Sequence, residues 1–430
     1  MTTTAAREHS SGFPDSAWLR AFRRRLTAWY DRHARDLPWR RRRDPYAVWL
    51  SEIMLQQTQV ATVKPYFTRF LQAFPTLEAL ARADEHDVLR RWEGLGYYRR
   101  ARQLHRAARI IVAEHGGEFP RDPQAVRRLP GVGRYTAGAI LSIAFDAREP
   151  ILEANTVRLL SRLSAYRADP ISAAGQSVLW SLAEAVLPRR EPGRFNQALM
   201  ELGSEVCLGR APHCEICPVA SLCQANLQGL QQEIPMKKAK PRPEAVREAA
   251  VLVRRRGRVL LLRWPEGRRW AGLWDFPRFA LHQATAGGRA PRAGVAVQLP
   301  PQPTPPQRHI PAALRRELVE NVRQLTGLIV APGEHLKTLT HGVTRFRITL
   351  ECYRAEYVSS ARDVQSPLET RWLRPSELQG YPLSSTGRRL ARLVGDERRT
   401  DSERASNSFA GKSCRTRPRK PGLHSPSSGL

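Results

Sequence analysis

Two acidic residues stand where their neighbours would change their chemistry. Glu52 lies in VWLSEIMLQQTQV, Val48 to Val60, between Trp49-Leu50 and Ile53-Met54-Leu55. Helical spacing allows it either to point to solvent or to face a cleft walled by those apolar side chains. In a cleft, loss of water disfavours the charged carboxylate and raises its pKa, leaving a proton to donate near neutral pH. Glu153 lies in PILEANTVRLLSRL, just before a helical pattern. There it is either a plain helix cap or a carboxylate kept ionised by the positive helix end. One protonated acid and one ionised carboxylate form the pair that cleaves glycosidic bonds.

Two further patterns carry chemistry. Cys207, Cys214, Cys217 and Cys223 are spaced C-x6-C-x2-C-x5-C. Four thiolates in one compact loop can hold a tetrahedral zinc or a [4Fe-4S] cluster. Structural zinc more often uses two separated C-x2-C knuckles, and only one such pair occurs here. Cys352 and Cys414 fall outside the spacing. In RRLPGVGRYTAGAI, Arg127 to Ile140, Gly131 and Gly133 permit a tight turn that exposes backbone N–H groups at the start of the next helix. Such groups, with the helix dipole, suit a phosphate, and a backbone contact positions a duplex without reading its sequence.

The elements that must carry these residues follow from the apolar period. From Ala17 to about Gln228 the spacing is helical, broken at short intervals by Pro and Gly, which predicts many short helices and essentially no sheet. Residues 1–15 are expected to be disordered, and 231–247, rich in Lys and Pro, to be a linker. The period then changes. AAVLVRRRGRVLLLRW reads as two strands turning at Gly257, and LKTLTHGVTRFRITLECYRAEY as a second hairpin, with the Pro-rich LPPQPTPPQ as a loop between them. An all-α unit over 16–230 is therefore expected, then a smaller α+β unit over 248–393 and a disordered basic tail over 394–430. The 70 Lys and Arg against 40 Asp and Glu give a net charge of +30, which suits a polyanion, with nucleic acid the first candidate. No run of 18 apolar residues occurs and the start has no apolar leader, so a soluble cytoplasmic protein away from membranes is expected.

LPWR, PYAVWLSEIMLQQTQVATV, WEGLGYYRRAR, LPGVGRYTAGAI, RFNQALMELG and the cysteine loop, in this order, resemble the MutY-type adenine DNA glycosylases of the helix-hairpin-helix superfamily. The resemblance is dense from Leu37 to Cys223 and weaker to about Leu393. It implies a monomer that acts on double-stranded DNA and removes adenine mispaired with 8-oxoguanine or guanine, after flipping it from the duplex. Glu52 would protonate adenine N7 and Glu153 would stabilise the oxocarbenium-like sugar. Tyr135 and Asn155 match positions that hold this pair and the attacking water. Gln57 matches a side chain that enters the duplex, Tyr97 one that wedges beside 8-oxoguanine, and Leu37 and Trp39 part of the adenine pocket. The resemblance also favours [4Fe-4S] over zinc, with the loop tied so that Arg210 faces phosphates. No lysine stands in the hairpin for Schiff-base chemistry, so a glycosylase without strong strand cleavage is implied.

Two departures bear on this. The family usually has Asp-Gly where this chain has Glu153-Ala154, and a shift of about a bond length can cost about a hundredfold in rate. Retention of catalysis by Glu153 and a DNA-binding protein that has lost catalysis are the two readings this leaves. The second unit resembles a Nudix fold, and a pyrophosphohydrolase would need the acids of a G-x5-E-x7-R-E-U-x-E-E-x-G-U helix. Only RELVEN, Arg316 to Asn321, survives: Asn321 replaces an acid, and Arg308 and Gln302 stand at the upstream Glu and Gly positions. A recognition domain is expected instead, with Thr340 and His341 of LTH matching the hydroxyl-His pair that contacts 8-oxoguanine.

Overall fold

The computed structural model describes residues 14–236, 242–282, 310–361 and 366–394. Residues 1–13, the Pro-rich loop with Gln302 and Arg308, and the tail from 395 with Cys414 lie outside the described residues, so the expectations placed there do too.

The first unit is helical, as the period required. Its central helix, Pro45–Leu55, starts with proline at its first position and with Asp44 accepting from the N–H groups of Tyr46 and Ala47 at 3.2 and 3.1 Å. Every residue from Tyr46 to Met54 is buried. A helix apolar on all sides is a core helix, so Glu52 has no solvent face. Around it pack the helices Val60–Ala73, Glu85–Trp92, Arg99–Glu114 and Arg134–Phe145, forming one apolar cluster. A second cluster gathers Ser16–His33, Ala154–Leu163, Ala173–Val186 and Pro192–Glu205. The helix Arg134–Phe145 touches both sides: Gly193 approaches the carbonyl of Ser142 so closely that a side chain there would clash.

Two expected boundaries move. Asp15 accepts from the N–H of Trp18 at 2.7 Å and caps the first helix, so ordered chain begins before residue 16. The first strand begins at Glu244, inside the stretch read as linker.

Among the described residues the second unit carries a seven-stranded sheet with β1 (Glu244–Arg255), β2 (Arg258–Arg263), β3 (Trp274–Asp275), β4 (Arg278–Ala280), β5 (Leu328–Val343), β6 (Phe346–Ser360) and β7 (Thr370–Leu373). The order β3-β2-β1-β6-β5 sets β1 parallel to β6 and antiparallel to β2, with β4 pairing β1 and β7 pairing β2. Arg256 and Gly257 both take positive φ in the β1–β2 turn, the conformation a tight hairpin needs. The β5–β6 hairpin starts earlier than its alternation suggested, because register shifts around Pro332 and His335 break the period of two. RELVEN lies in the helix Ala312–Thr326, closed by Gly327 at φ 68°. The two units are joined in part by burial: Leu273, from the second, is fully buried within the first apolar cluster of the helical unit. Among the described residues no helix is long and apolar enough to cross a membrane.

Candidate active site

A cavity of about 530 Å³ opens between the two helical clusters, lined from the first by Leu37, Trp39, Glu52 and Tyr135 and from the second by Glu153 and Asn155. Leu37 and Trp39 are both buried, and Trp39 packs edge-on against Phe67 at 5.4 Å between centroids. Gln57 lines the rim, exposed and at φ 57°. The structure thus gathers seven of the sequence-derived residues around one space.

Glu52 is buried and accepts a hydrogen bond from the Tyr135 hydroxyl on Oε2 at 2.5 Å. Burial pushes its carboxyl up to about 7; the charge of Glu153 adds to the rise, while Tyr135 and the Arg40 guanidinium oppose it. Tyr135 itself is raised well above the usual phenol range, first by burial and then by the two carboxylates, so it remains a proton-bearing donor. It reaches the cavity because Gly133 caps the helix Arg134–Phe145 and sets Tyr135 in its first turn.

Glu153 caps the helix Ala154–Leu163. Its Oε1 accepts from the N–H of Thr156 at 2.9 Å, its Oε2 from that of Asn155 at 2.8 Å, and Thr156 Oγ1 accepts in return from the N–H of Glu153 at 2.7 Å. The longer side chain folds back onto its own helix, so Glu153 is a helix cap that also lines the cavity. The expectation that the helix end keeps its pKa low needs correction. Burial raises it, and the backbone bonds and the Arg158 charge only partly offset that rise. Asn155 Oδ1 accepts from Arg158 Nη2 at 2.9 Å.

Two site residues were not singled out from sequence. Glu201, fully buried, accepts from Arg35 Nε and Nη2 and from Arg40 Nη2, each at 2.8 Å. Burial alone would raise its pKa, but these hydrogen bonds and charges pull it to about 2, which fixes Arg40 beside Glu52. Its only sequence signal is its place in RFNQALMELG. Arg100 is the other. It donates Nη1 to the carbonyls of Ile53 and Met54 at 2.8 and 2.9 Å and to that of Gln56, and Nη2 to Thr58 Oγ1 at 3.1 Å. A cation there closes the negative end of the Glu52 helix and holds the Gln56 carbonyl and the Thr58 hydroxyl on either side of Gln57.

Tyr97, Gly131, Gly133 and Arg210 lie outside the cavity. Tyr97 is 48 % exposed, at φ 47°, with its ring 5.3 Å from the Arg100 guanidinium. Gly131 takes φ 81°, which the turn requires, and the space beside Gly133 is open. Arg210 is exposed in the cysteine loop.

Cys207, Cys214, Cys217 and Cys223 line one small cavity, and among the described residues they form no disulfides. Burial pushes the Cys217 thiol up to about 12, and Arg162 Nη1 donates to Cys207 Sγ at 3.2 Å. Among the described residues no three His, Cys, Asp or Glu side chains converge closely enough to hold a single ion. The four thiols line a common space, and an all-sulfur donor set is the ligand chemistry that zinc or an iron–sulfur cluster takes.

Thr340 and His341 are not brought together. Adjacent residues on β5 face opposite sides of the sheet, and both pair with β6, Thr340 with Thr349 and His341 with Ile348. Thr340 is exposed. His341 is half-buried with Nε2 3.2 Å from Arg278 Nη2, and burial followed by that charge lowers its pKa to about 4.

Residues 50–184 match the family of HhH-GPD superfamily base excision DNA repair proteins, and residues 249–393 match the NUDIX domain family. The chain is 38 % identical to the adenine DNA glycosylase of Rattus norvegicus, covering 90 % of this chain and 80 % of the relative. It is 35 % identical to that of Mus musculus, with the same shares covered. It is 36 % identical to that of Homo sapiens, covering 89 % and 75 %.

Proposed function

The chain belongs to the adenine DNA glycosylase family, and from that premise we propose that it excises adenine paired with 8-oxoguanine or guanine in double-stranded DNA. The observation that carries this reading is Glu52, buried against the Tyr135 hydroxyl with its pKa raised to about 7 by that burial, in a cavity large enough for a flipped base. Leu37 and Trp39 flank the base. Glu52 passes its proton to adenine N7, the base leaves with the bonding electrons of the glycosidic bond, and positive charge develops on the sugar. The Glu153 carboxylate, oriented by the N–H groups of Asn155 and Thr156, stabilises that charge until water adds to the sugar and gives up a proton that restores Glu52 to its acid form. Gly131, Gly133 and Arg210 supply the phosphate contacts, Gln57 and Tyr97 enter the duplex, and the net charge of +30 supplies non-specific affinity. Cys207, Cys214, Cys217 and Cys223 would hold a [4Fe-4S] cluster. Held by these four thiols, the loop Leu208–His213 would be tied to the helical unit through a structural cross-link.

The test is incubation with a duplex carrying one 8-oxoguanine:adenine pair. Alkali should cleave the strand at the adenine position, while untreated DNA stays whole and borohydride traps no adduct. High-yield trapping would show Schiff-base chemistry and overturn the hydrolytic reading.

The second unit is proposed to read 8-oxoguanine. A pyrophosphohydrolase is disfavoured by what its helix carries: Asn321 donates to the Glu317 carbonyl at 2.9 Å, and the Glu317 carboxylate accepts from the N–H of His282 at 2.8 Å. Because Thr340 and His341 face opposite ways, the lesion contact is assigned to Thr340, the exposed one. Thr340→Val should lower the preference for 8-oxoguanine:adenine over guanine:adenine several-fold, as loss of one directed hydrogen bond requires. An unchanged ratio of single-turnover rates would remove the residue from recognition.

A further inference from the structure

The loop Trp92–Tyr98, which carries Tyr97, is held from both units. Within the helical unit, Trp92 Nε1 donates to the Gly96 carbonyl at 3.1 Å and the Tyr66 hydroxyl to the Glu93 carbonyl at 2.9 Å. Gly94, at φ 101°, leaves no room for a side chain against Tyr66. Tyr97 thus sits in a left-handed conformation that its surroundings, not its own preference, maintain.

The other grip comes from the second unit. Arg388, in the helical stretch 385–394, donates Nε to Glu93 Oε1 at 2.6 Å and Nη2 to Glu93 Oε2 at 2.9 Å. Its Nη1 also donates to the Leu378 carbonyl at 2.8 Å and its Nη2 to that of Tyr381 at 2.6 Å, so the guanidinium is well paired. The Leu383 N–H donates to Glu93 Oε2 at 3.3 Å, and the Leu383 carbonyl accepts from the Tyr98 hydroxyl at 3.2 Å. Only 16 % of the Arg388 side chain and 10 % of the Glu93 side chain are exposed. A two-bonded Arg–carboxylate fork with so little water fixes direction as well as distance.

The same segment is tied back to the β5–β6 hairpin. Arg278, buried, donates Nη1 to Thr386 Oγ1 at 2.9 Å while its Nη2 lies 3.2 Å from His341 Nε2. A contiguous set of hydrogen bonds and short covalent stretches therefore runs from the residue next to Thr340, through Arg278, Thr386 and Arg388, to Glu93 and the Tyr97 loop.

We propose that the Glu93–Arg388 fork positions the Tyr97 loop relative to the lesion-reading hairpin, so that recognition of 8-oxoguanine by the second unit is expressed through insertion of Tyr97. Glu93 and Arg388 are positioning residues; neither lines the reaction cavity. The inference rests on the assignment of Tyr97 as the side chain that enters the duplex.

The test uses the full chain and single-turnover adenine release from 8-oxoguanine:adenine and guanine:adenine duplexes. Arg388→Met should reduce the preference for the 8-oxoguanine duplex about tenfold, within the range of ordinary coupling between sites, while the guanine:adenine rate changes less than about twofold. Arg388→Lys, which keeps the charge but not the fork, should fall between and covers the case in which the methionine variant does not fold. Tyr97→Ser should lower the same ratio, and Tyr97→Ser/Arg388→Met should lower it no further than the larger single effect. Multiplied effects in the double variant, or equal slowing of both duplexes by Arg388→Met and Arg388→Lys, would overturn the fork as a positioning device. An unchanged preference in Tyr97→Ser would instead contradict the assignment of Tyr97, and the proposal with it.

Discussion

Glu52→Gln should slow single-turnover adenine release by at least about a thousandfold, near the upper end of what a positioned general acid contributes. Gln keeps the size and can still accept from the Tyr135 hydroxyl, but it has no proton to give. The loss should appear in the rate of excision at saturating enzyme, with binding of the mismatched duplex little changed. Stability gives an independent check that the variant is folded. The folded pKa, about 7, lies above the usual unfolded value, so the native state binds the extra proton between about 4.5 and 7. Native Glu52 is therefore tolerated below that window and costs stability as pH rises through it, by roughly 3 kcal/mol once fully ionised. Glu52→Gln removes that cost, and its melting temperature should exceed the parent's at pH 8 by more than at pH 5. A variant as active as the parent would remove Glu52 from the chemistry.

Glu153→Ala should slow excision by about a hundredfold or more and destabilise the protein by about 1 kcal/mol, because one side chain has two tasks. Both carboxylate oxygens are bound to the first N–H groups of the helix Ala154–Leu163. Losing them frees that helix end and removes the negative charge that faces the developing cation. Glu153→Asp separates the two effects. Asp is an equally good cap, so melting should be preserved, and the rate then shows whether the additional methylene matters. We expect Asp to match the parent within a few-fold, since the longer side chain already folds back to the position a cap requires. Unchanged excision in Glu153→Ala would leave it a cap and nothing more, and would favour a chain that binds damage by other means.

Much of this site was legible because local pattern and burial agreed. The apolar run around Glu52 was legible in the sequence, but spacing alone left a solvent-facing side open; burial of every residue from Tyr46 to Met54 is what turns the acid inward. The Pro-Gly hairpin and the cysteine spacing are equally local. What could not be read depends on partners distant in the chain. Glu201 looks like an ordinary helical acid until Arg35 and Arg40, more than 160 residues earlier, close on it. The pKa of Glu153 follows from how much of the cavity wall covers it, which no cap motif reveals. Thr340 and His341 are neighbours in sequence, yet the sheet turns them apart, because β5 remains paired through Val343 where a looser turn would have let both face one way. Likewise, Leu273 belongs by sequence to the second unit and by burial to the first.

In the proposed reaction Glu52 donates a proton from a carboxyl that burial raises to about 7. The most direct measurement is the pH dependence of single-turnover adenine release from an 8-oxoguanine:adenine duplex between pH 5 and 9. The rate should be high on the acid side and fall about tenfold per pH unit once pH exceeds about 7, with the descending limb absent in Glu52→Gln. A rate that climbs through the same range would mean that an ionised carboxylate acting as base carries the reaction, and would contradict the account.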